Sequence, residues 1–300
     1  MPLPSTEDVQ AAAERIAPYL RRTPVLRATV DGRPVTFKLE NLQVCGVFKI
    51  RGALNALLTY RPERVVTASG GNHGFGVASA AAWLDIPATV FVPESVPEIK
   101  ARRITGTGAR VVMAGEKYAD AEAAAREFAA TEGAYYVHAY DDPAVVAGQA
   151  TLGLEIAQDL PDCDVVAVPV GGGGLFAGVS AGSGRHVIGV EPEACASLHA
   201  AAEAGKPVDA PVDYSTVAAS SLGASRVGEL AVEAYRELGG GLALVDDASI
   251  IEARDRLWEE FRLAVEPAAA TGFAAWLDGQ VPGELACLVL SGANAAWSPS

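Results

Sequence analysis

Lys49 lies in "GVFKIRGALNAL", residues 46–57, between a Gly-Val-Phe approach and an apolar segment that reads as the first turns of a helix. A helix start is a poor place for a spare cation, because the macrodipole is positive there. A lysine in a desolvated site loses its charge and becomes a nucleophile toward an aldehyde. Three glycine-marked turns supply what such an amine lacks. The first, "TASGGNHGFG" (67–76), sets Ser69, Gly70 and Gly71 ahead of a helix, with Asn72 and His73 as side-chain donors at the same mouth. Orphan amides and the helix dipole suit that loop to a carboxylate. The second, "PVGGGGLFAGV" (169–179), presents Gly171, Gly172, Gly173 and Gly174 before Leu175, a nest of N–H groups for a phosphate. The third, "LVLSGANA" (288–295), ends an apolar strand on Ser291, whose hydroxyl would face the same crevice.

Each turn also has a plainer reading. The first could be an ordinary strand-to-helix turn in which Asn and Gly accept unusual dihedrals, and a Gly-rich turn alone is weak evidence. Ser291, taken alone, reads better as a helix cap. The second turn resists the plain reading, since four successive glycines carry an entropic cost that a gripped ligand would explain. It is no Walker loop, lacking a following Lys-Ser or Lys-Thr, and no clean dinucleotide fingerprint. Lysine, phosphate nest, carboxylate turn and hydroxyl together point to pyridoxal 5'-phosphate. Its aldehyde would bond Lys49, its phosphate would sit on Gly171 to Gly174, and its ring nitrogen would meet Ser291.

The elements that must position these residues are short β-branched runs alternating with Ala-rich amphipathic segments. "VTFKLE", "RVVTAS", "ATVFVP", "ARVVMA", "CDVVAVPV", "RHVIGVE" and "ELACLVLS" read as strands, while "GFGVASAAAWL" and "YADAEAAAREFAA" read as helices. A first helix begins after Ser5, with Asp8 completing a capping box. The whole is an α/β protein of βαβ units whose parallel strands are buried on both faces. No period of 20 to 50 residues repeats and no low-complexity linker divides the chain.

With 300 residues, half of them hydrophobic, there is ample material for a core. Lys plus Arg total 23 against 37 Asp plus Glu, a formal charge of −14. That balance opposes a nucleic-acid partner or an anionic-membrane surface, without opposing a small anion in a local site. No signal peptide or membrane-length apolar run is evident, and Cys45, Cys163, Cys195 and Cys287 show no metal or disulfide spacing. A cytoplasmic enzyme with reduced thiols is expected. His138, His186 and His199 have no partner pattern, and no GxSxG elbow supports Ser-His-Asp hydrolysis.

"FKIRGA", "SGGNHG", "GGGGL", "VEPE" and "LSGAN", spanning residues 48–294 in order, resemble the serine/threonine dehydratases among fold type II, tryptophan-synthase-β-like enzymes. The resemblance implies two open, largely parallel three-layer α/β domains with pyridoxal phosphate in the cleft between them. It makes residues 64–141 a small domain inserted in a large cofactor-binding domain, 1–63 plus 142–300. Lys49 matches the Schiff-base lysine with Phe48 beside the ring, and Asn72 matches the partner of the phenolic oxygen. Ser69, Gly70, Gly71, Asn72 and His73 match the substrate-carboxylate loop. Gly171, Gly172, Gly173, Gly174 and Leu175 match the phosphate cradle, and Ser291 the partner of the ring nitrogen. The implied activity is an ammonia-lyase that eliminates water from a β-hydroxy amino acid such as L-threonine or L-serine. Its products are a 2-oxo acid and ammonia. A homodimer is implied, and no C-terminal regulatory domain is expected after "LSGANA".

Several positions depart from that family. Val47 replaces the usual Ser or Thr, and the serine used by racemases as a second base falls at Gly70. Elimination is therefore expected over racemisation. A cation site in some members pairs the Glu of "VEPE" with an Asp six residues on, but here Ser197 follows Glu191, so no metal is expected. "VAASSLGA" (217–224) lacks a common Asp, and Glu266 in "VEPAAATG" is placed near the ring without an assigned role. Three alternatives stay open: a β-replacement enzyme, an amino-acid racemase, or a catalytically silent cofactor-binding paralogue.

Overall fold

The computed structural model describes residues 2–294. Met1 and residues 295–300, including the last residue of the third turn and the end of the range assigned to the large domain, lie outside it. α1 (Thr6–Ile16) starts at the expected cap: Ser5 Oγ accepts from the Asp8 amide, and the Ser5 amide donates to Asp8. A hairpin follows, β1 (Val25–Val30) and β2 (Arg33–Lys38), turned through Asp31 and Gly32, both at positive φ. α2 (Lys49–Tyr60) leads into β3 (Val65–Ala68), α3 (Asn72–Trp83), β4 (Ala88–Val92), α4 (Glu98–Thr105), β5 (Arg110–Met113), α5 (Tyr118–Glu132) and β6 (Tyr135–Tyr136). The chain returns through α6 (Pro143–Asp159), β7 (Val165–Pro169), α7 (Gly174–Ser183), β8 (His186–Pro192), α8 (Ser197–Ala204) and α9 (Ala219–Leu222). It ends with α10 (Glu229–Leu238), β9 (Gly241–Val245), α11 (Asp247–Phe261), α12 (Pro267–Leu277) and β10 (Ala286–Val289).

These strands form two sheets. One has the order β1-β2-β10-β7-β8-β9 and is parallel except for the β1–β2 hairpin; the other, β5-β4-β3-β6, is wholly parallel. Alternation along β7 shows the layering. Val165 and Ala167 pack with Ala270 and Phe273 on one face, Val166 and Val168 with Leu152 and Phe176 on the other. All seven runs read as strands are strands, and the sheet class is the expected one. β1, β6 and β9 lie outside that set. The first and last sit at edges of their sheet, where burial is partial and the alternation weak; β6 is two residues long.

A buried charge cluster ties the start of α2 to the large sheet. The Arg51 guanidinium, buried, donates to both Glu40 oxygens at 2.8 Å, to Glu155 at 2.8 and 3.1 Å, and to Thr151 Oγ1 at 3.1 Å. Lys38 Nζ meets Glu155 at 2.7 Å and Asp159 at 3.3 Å. Burial alone would raise the Glu40 carboxyl, but Arg51, the Thr23 hydroxyl and Lys38 hold it below its ordinary value. Removing one member leaves a buried charge unpaired, so Arg51→Ala should cost ~3–5 kcal/mol in urea unfolding. Adding Glu40→Gln to that variant should recover part of the loss, and a cost below ~1 kcal/mol would show that the cluster is not a main fastening.

Candidate active site

The three glycine-marked turns leave the carboxyl ends of β3, β7 and β10, the positions where parallel sheets bind ligands. The helices that start around them carry no side-chain cap. α1, α6 and α11 are capped by Ser5, Asp142 and Asp246; α2, α3 and α7 start at Phe48, Gly71 and Gly173 with none, as do α4, α8, α9, α10 and α12 away from these turns or beside them. Three helix starts at the site therefore keep first-turn amides free of side-chain caps.

Lys49 is the first residue of α2 and half-buried. Its Nζ donates to the Ala139 carbonyl at 2.8 Å and stands 5.2 Å from the Phe48 ring centroid. Burial pushes its amine from the usual 10.5 down to about 8. The segment before it is strapped to the exit of β10. The Phe48 amide donates to the Ser291 carbonyl at 3.1 Å, the Ala293 amide to the Gly46 carbonyl at 2.9 Å, and Val47 bridges Gly292. Lys49 and Ser291, 242 positions apart in the chain, are thereby neighbours.

Asn72 opens α3 and is gripped at both ends. Its Nδ2 donates to Glu266 Oε1 at 2.6 Å and, at 3.4 Å, to Ser221 Oγ; its Oδ1 accepts from Asn294 Nδ2 at 2.7 Å. Ser69 Oγ accepts from the Gly71 amide at 3.2 Å, and the Gly71 Cα faces the Ser220 carbonyl. His73 differs from expectation. Its ring is buried, with Nε2 3.0 Å from the Val137 carbonyl, and burial together with Lys49 pushes it down to about 3. As the second residue of α3, about 100° round the helix from Asn72, it carries its ring inward and leaves its backbone amide to the mouth.

The Gly171–Gly174 run is shaped by what crowds it. A Cβ on Gly171 would stand 3.0 Å from the Leu222 Cα, one on Gly174 2.9 Å from the Tyr140 Cα, and one on Gly172 would overlap the Tyr140 ring. Gly173 adopts φ +86°, which favours glycine. Leu175, the second residue of α7, and Phe48, next to Lys49, are both buried. The cradle is thus fitted to its neighbours at the backbone.

Sequence reasoning missed Tyr140, Ser221 and Asn294, and left Glu266 without a role. "VAASSLGA" and "LSGANA" contained two of them, but their pairing with Asn72 is long-range and no spacing rule encodes it. Glu191 stands behind the cradle, where Ser197 Oγ reaches both its carboxylate and the Gly171 carbonyl. Buried in β8, it accepts from the Leu198 and His199 amides at 2.7 and 3.0 Å and faces His199 Nδ1 at 2.7 Å, so it is engaged at the start of α8. The cysteines are all free thiols.

Residues 16–292 match the family model described as pyridoxal-phosphate dependent enzyme. The chain is 40% identical over 303 residues to the L-threonine ammonia-lyase of Geobacter sulfurreducens, covering 95% of this chain and 74% of that protein. It superposes on the crystal structure of a threonine deaminase from T.th. with TM-score 0.92 and 36% identity, over 99% of this chain and 100% of that one. It also resembles maize serine racemase, with TM-score 0.90 and 30% identity over 97% and 94% of the two chains.

A lysine driven toward neutrality by burial reacts as an amine at a lower pH than an exposed one. With a small amine-directed reagent and mass-spectrometric readout, Lys49 modification in the cofactor-free protein should rise through about pH 8 and then level. A rate still climbing through the usual 10.5 would contradict the burial argument.

Proposed function

The chain belongs to the pyridoxal-phosphate-dependent enzymes, and on that premise we propose that it is an ammonia-lyase of β-hydroxy amino acids, L-threonine or L-serine, releasing a 2-oxo acid and ammonia. The observation that carries this reading is the convergence of Lys49, Ser291, Asn72 and the glycine cradle at the ends of three parallel strands. The cofactor's fit is supported by the cradle. Four successive glycines leave no side chain over the turn's amides, and α7 begins there without a side-chain cap, so those amides are open to an anion. In this reading the Gly171–Gly174 amides with Leu175 would hold the phosphate, Asn72 the phenolic oxygen, Ser291 the ring nitrogen and Phe48 the ring, and Lys49 would hold the aldehyde in the resting enzyme.

When bound, the cofactor supplies an electron sink for the charge left on the substrate's Cα. The protein's part is positioning and proton transfer. Backbone amides from Ser69 to His73, at the uncapped start of α3, take the substrate carboxylate. Lys49 Nζ, lowered by burial to about 8 and free once substrate is bound, takes the α-proton as general base. Loss of the β-hydroxyl completes the elimination of water, and the enamine released hydrolyses to the 2-oxo acid and ammonia. Racemisation would need a second base on the opposite face. The matching position is Gly70, where even a Cβ would stand 2.5 Å from Val96 Cγ2.

We assign residues 64–141 as the small domain, with 1–63 and 142–300 as the large one, and place the enzyme in the cytoplasm as a homodimer. Four free thiols fit a reducing compartment, and no helix among the described residues is long and apolar enough to cross a membrane. Light scattering should give twice the chain mass.

Purified protein loaded with pyridoxal phosphate should release keto acid and ammonia from L-threonine or L-serine. Lys49→Ala should lower turnover by at least about 10²-fold. D-Serine formation from L-serine should stay far below keto-acid release; comparable rates would favour the racemase reading. A loaded protein that releases no keto acid from either substrate would favour the silent paralogue.

A further inference from the structure

Glu266 occupies the N-cap position of α12 but makes no side-chain cap there. Its buried carboxylate instead reaches across to Asn72 Nδ2 at 2.6 Å, with its other oxygen accepting from Ser221 Oγ at 3.3 Å. Ser or Asp would serve the helix without so large a desolvation cost, so capping does not account for this side chain. Burial holds the Glu266 carboxyl above its ordinary value, opposed by the bonds from Asn72 and Ser221 and by Lys100 and Arg103 on α4. Either protonation state leaves an oxygen able to accept from Asn72.

The opposite end of Asn72 is also fixed. Asn294 donates to its Oδ1, and Arg103 donates to Asn294 Oδ1. Rotating the Asn72 amide by half a turn would set oxygen against carboxylate oxygen and nitrogen against nitrogen. The contacts alternate between halves of the fold: Arg103 and Asn72 come from helices beside the four-stranded sheet, Asn294 and Glu266 from the six-stranded side. Of the two Asn72 N–H groups, one is held at 2.6 Å and the other is only loosely engaged at 3.4 Å.

We propose that Glu266, seconded by Asn294, is a positioning residue that locks the Asn72 amide in one orientation and leaves its second N–H for the bound cofactor. This rests on the assignment of Asn72 to the cofactor made above.

The test is a double-mutant cycle read by pyridoxal phosphate Kd and by the position of the bound-cofactor absorption band. Glu266→Ala should weaken binding ~10-fold and shift the band, but in an Asn72→Ala background it should change Kd less than ~2-fold. Glu266→Gln, which can still accept from Asn72, should retain most of the affinity. Equal losses in both backgrounds, with Gln no better than Ala, would overturn the proposal. Should Glu266→Ala fail to melt cooperatively, Asn294→Ala replaces it in the same cycle, with the same non-additivity expected and simple additivity again overturning it. A wild-type protein that binds no pyridoxal phosphate would defeat the functional reading itself; wild-type binding with additive losses defeats only the positioning role.

Discussion

The buried contact between Arg51 and Glu40 is the constraint on which the placement of Lys49 depends. Arg51 lies two residues into α2 after Lys49, so whatever fixes its guanidinium fixes the helix start. Glu40 holds it from the turn after β2, and Glu155 from α6. Lys38 and Arg22 balance the remaining acids, Glu155 and Asp159, so the cluster of three cations and three carboxylates closes neutral. Paired charges of this kind add less to net stability than to uniqueness: any other register of α2 would strand a buried ion. The nucleophile is therefore set by a network that does not itself touch the reacting atoms.

Backbone contact does the same for the other wall. A Cβ on Gly148 of α6 would stand 2.5 Å from the Arg51 carbonyl, and one on Gly182 of α7 would overlap the Ala150 carbonyl. Side chains are excluded at both crossings, so α2, α6 and α7 approach more closely than ordinary helices. α2 carries Lys49 and α7 begins at the cradle, which means that α6 sets the span between amine and phosphate turn. The alanine- and glycine-rich composition of these segments follows from that spacing.

These features differ in how plainly the sequence displays them. The Ser5 cap, the β-branched strands and the glycine turns are local signals, each readable within about ten residues. Asp31-Gly32 is also local, a hairpin signal for β1 that edge-strand exposure leaves otherwise faint. The Arg51 cluster is not local: its partners lie 11 and 104 residues away, and nothing in "FKIRGA" separates Arg51 from a surface arginine. Glu266 is similar, since "VEPAAATG" reads as a helix start and its side chain turns out to serve Asn72, 194 residues earlier. His73 shows the converse. Its motif places it at the mouth, but helix geometry points the ring toward Val137.

The site's own ionisable groups are driven toward neutrality by the same cause. Burial lowers the Lys49 amine and raises the Glu266 carboxyl, so each charged form is held here at a desolvation cost. In a chain of net charge −14, the overall charge does not favour the approach of an anion. What remains is the short-range field of the uncapped helix starts at Gly71 and Gly173, which acts only on a group already seated. Such a site discriminates by geometry. A phosphate or carboxylate gains from the amides only where it can approach the backbone, and the crowded glycines define that approach.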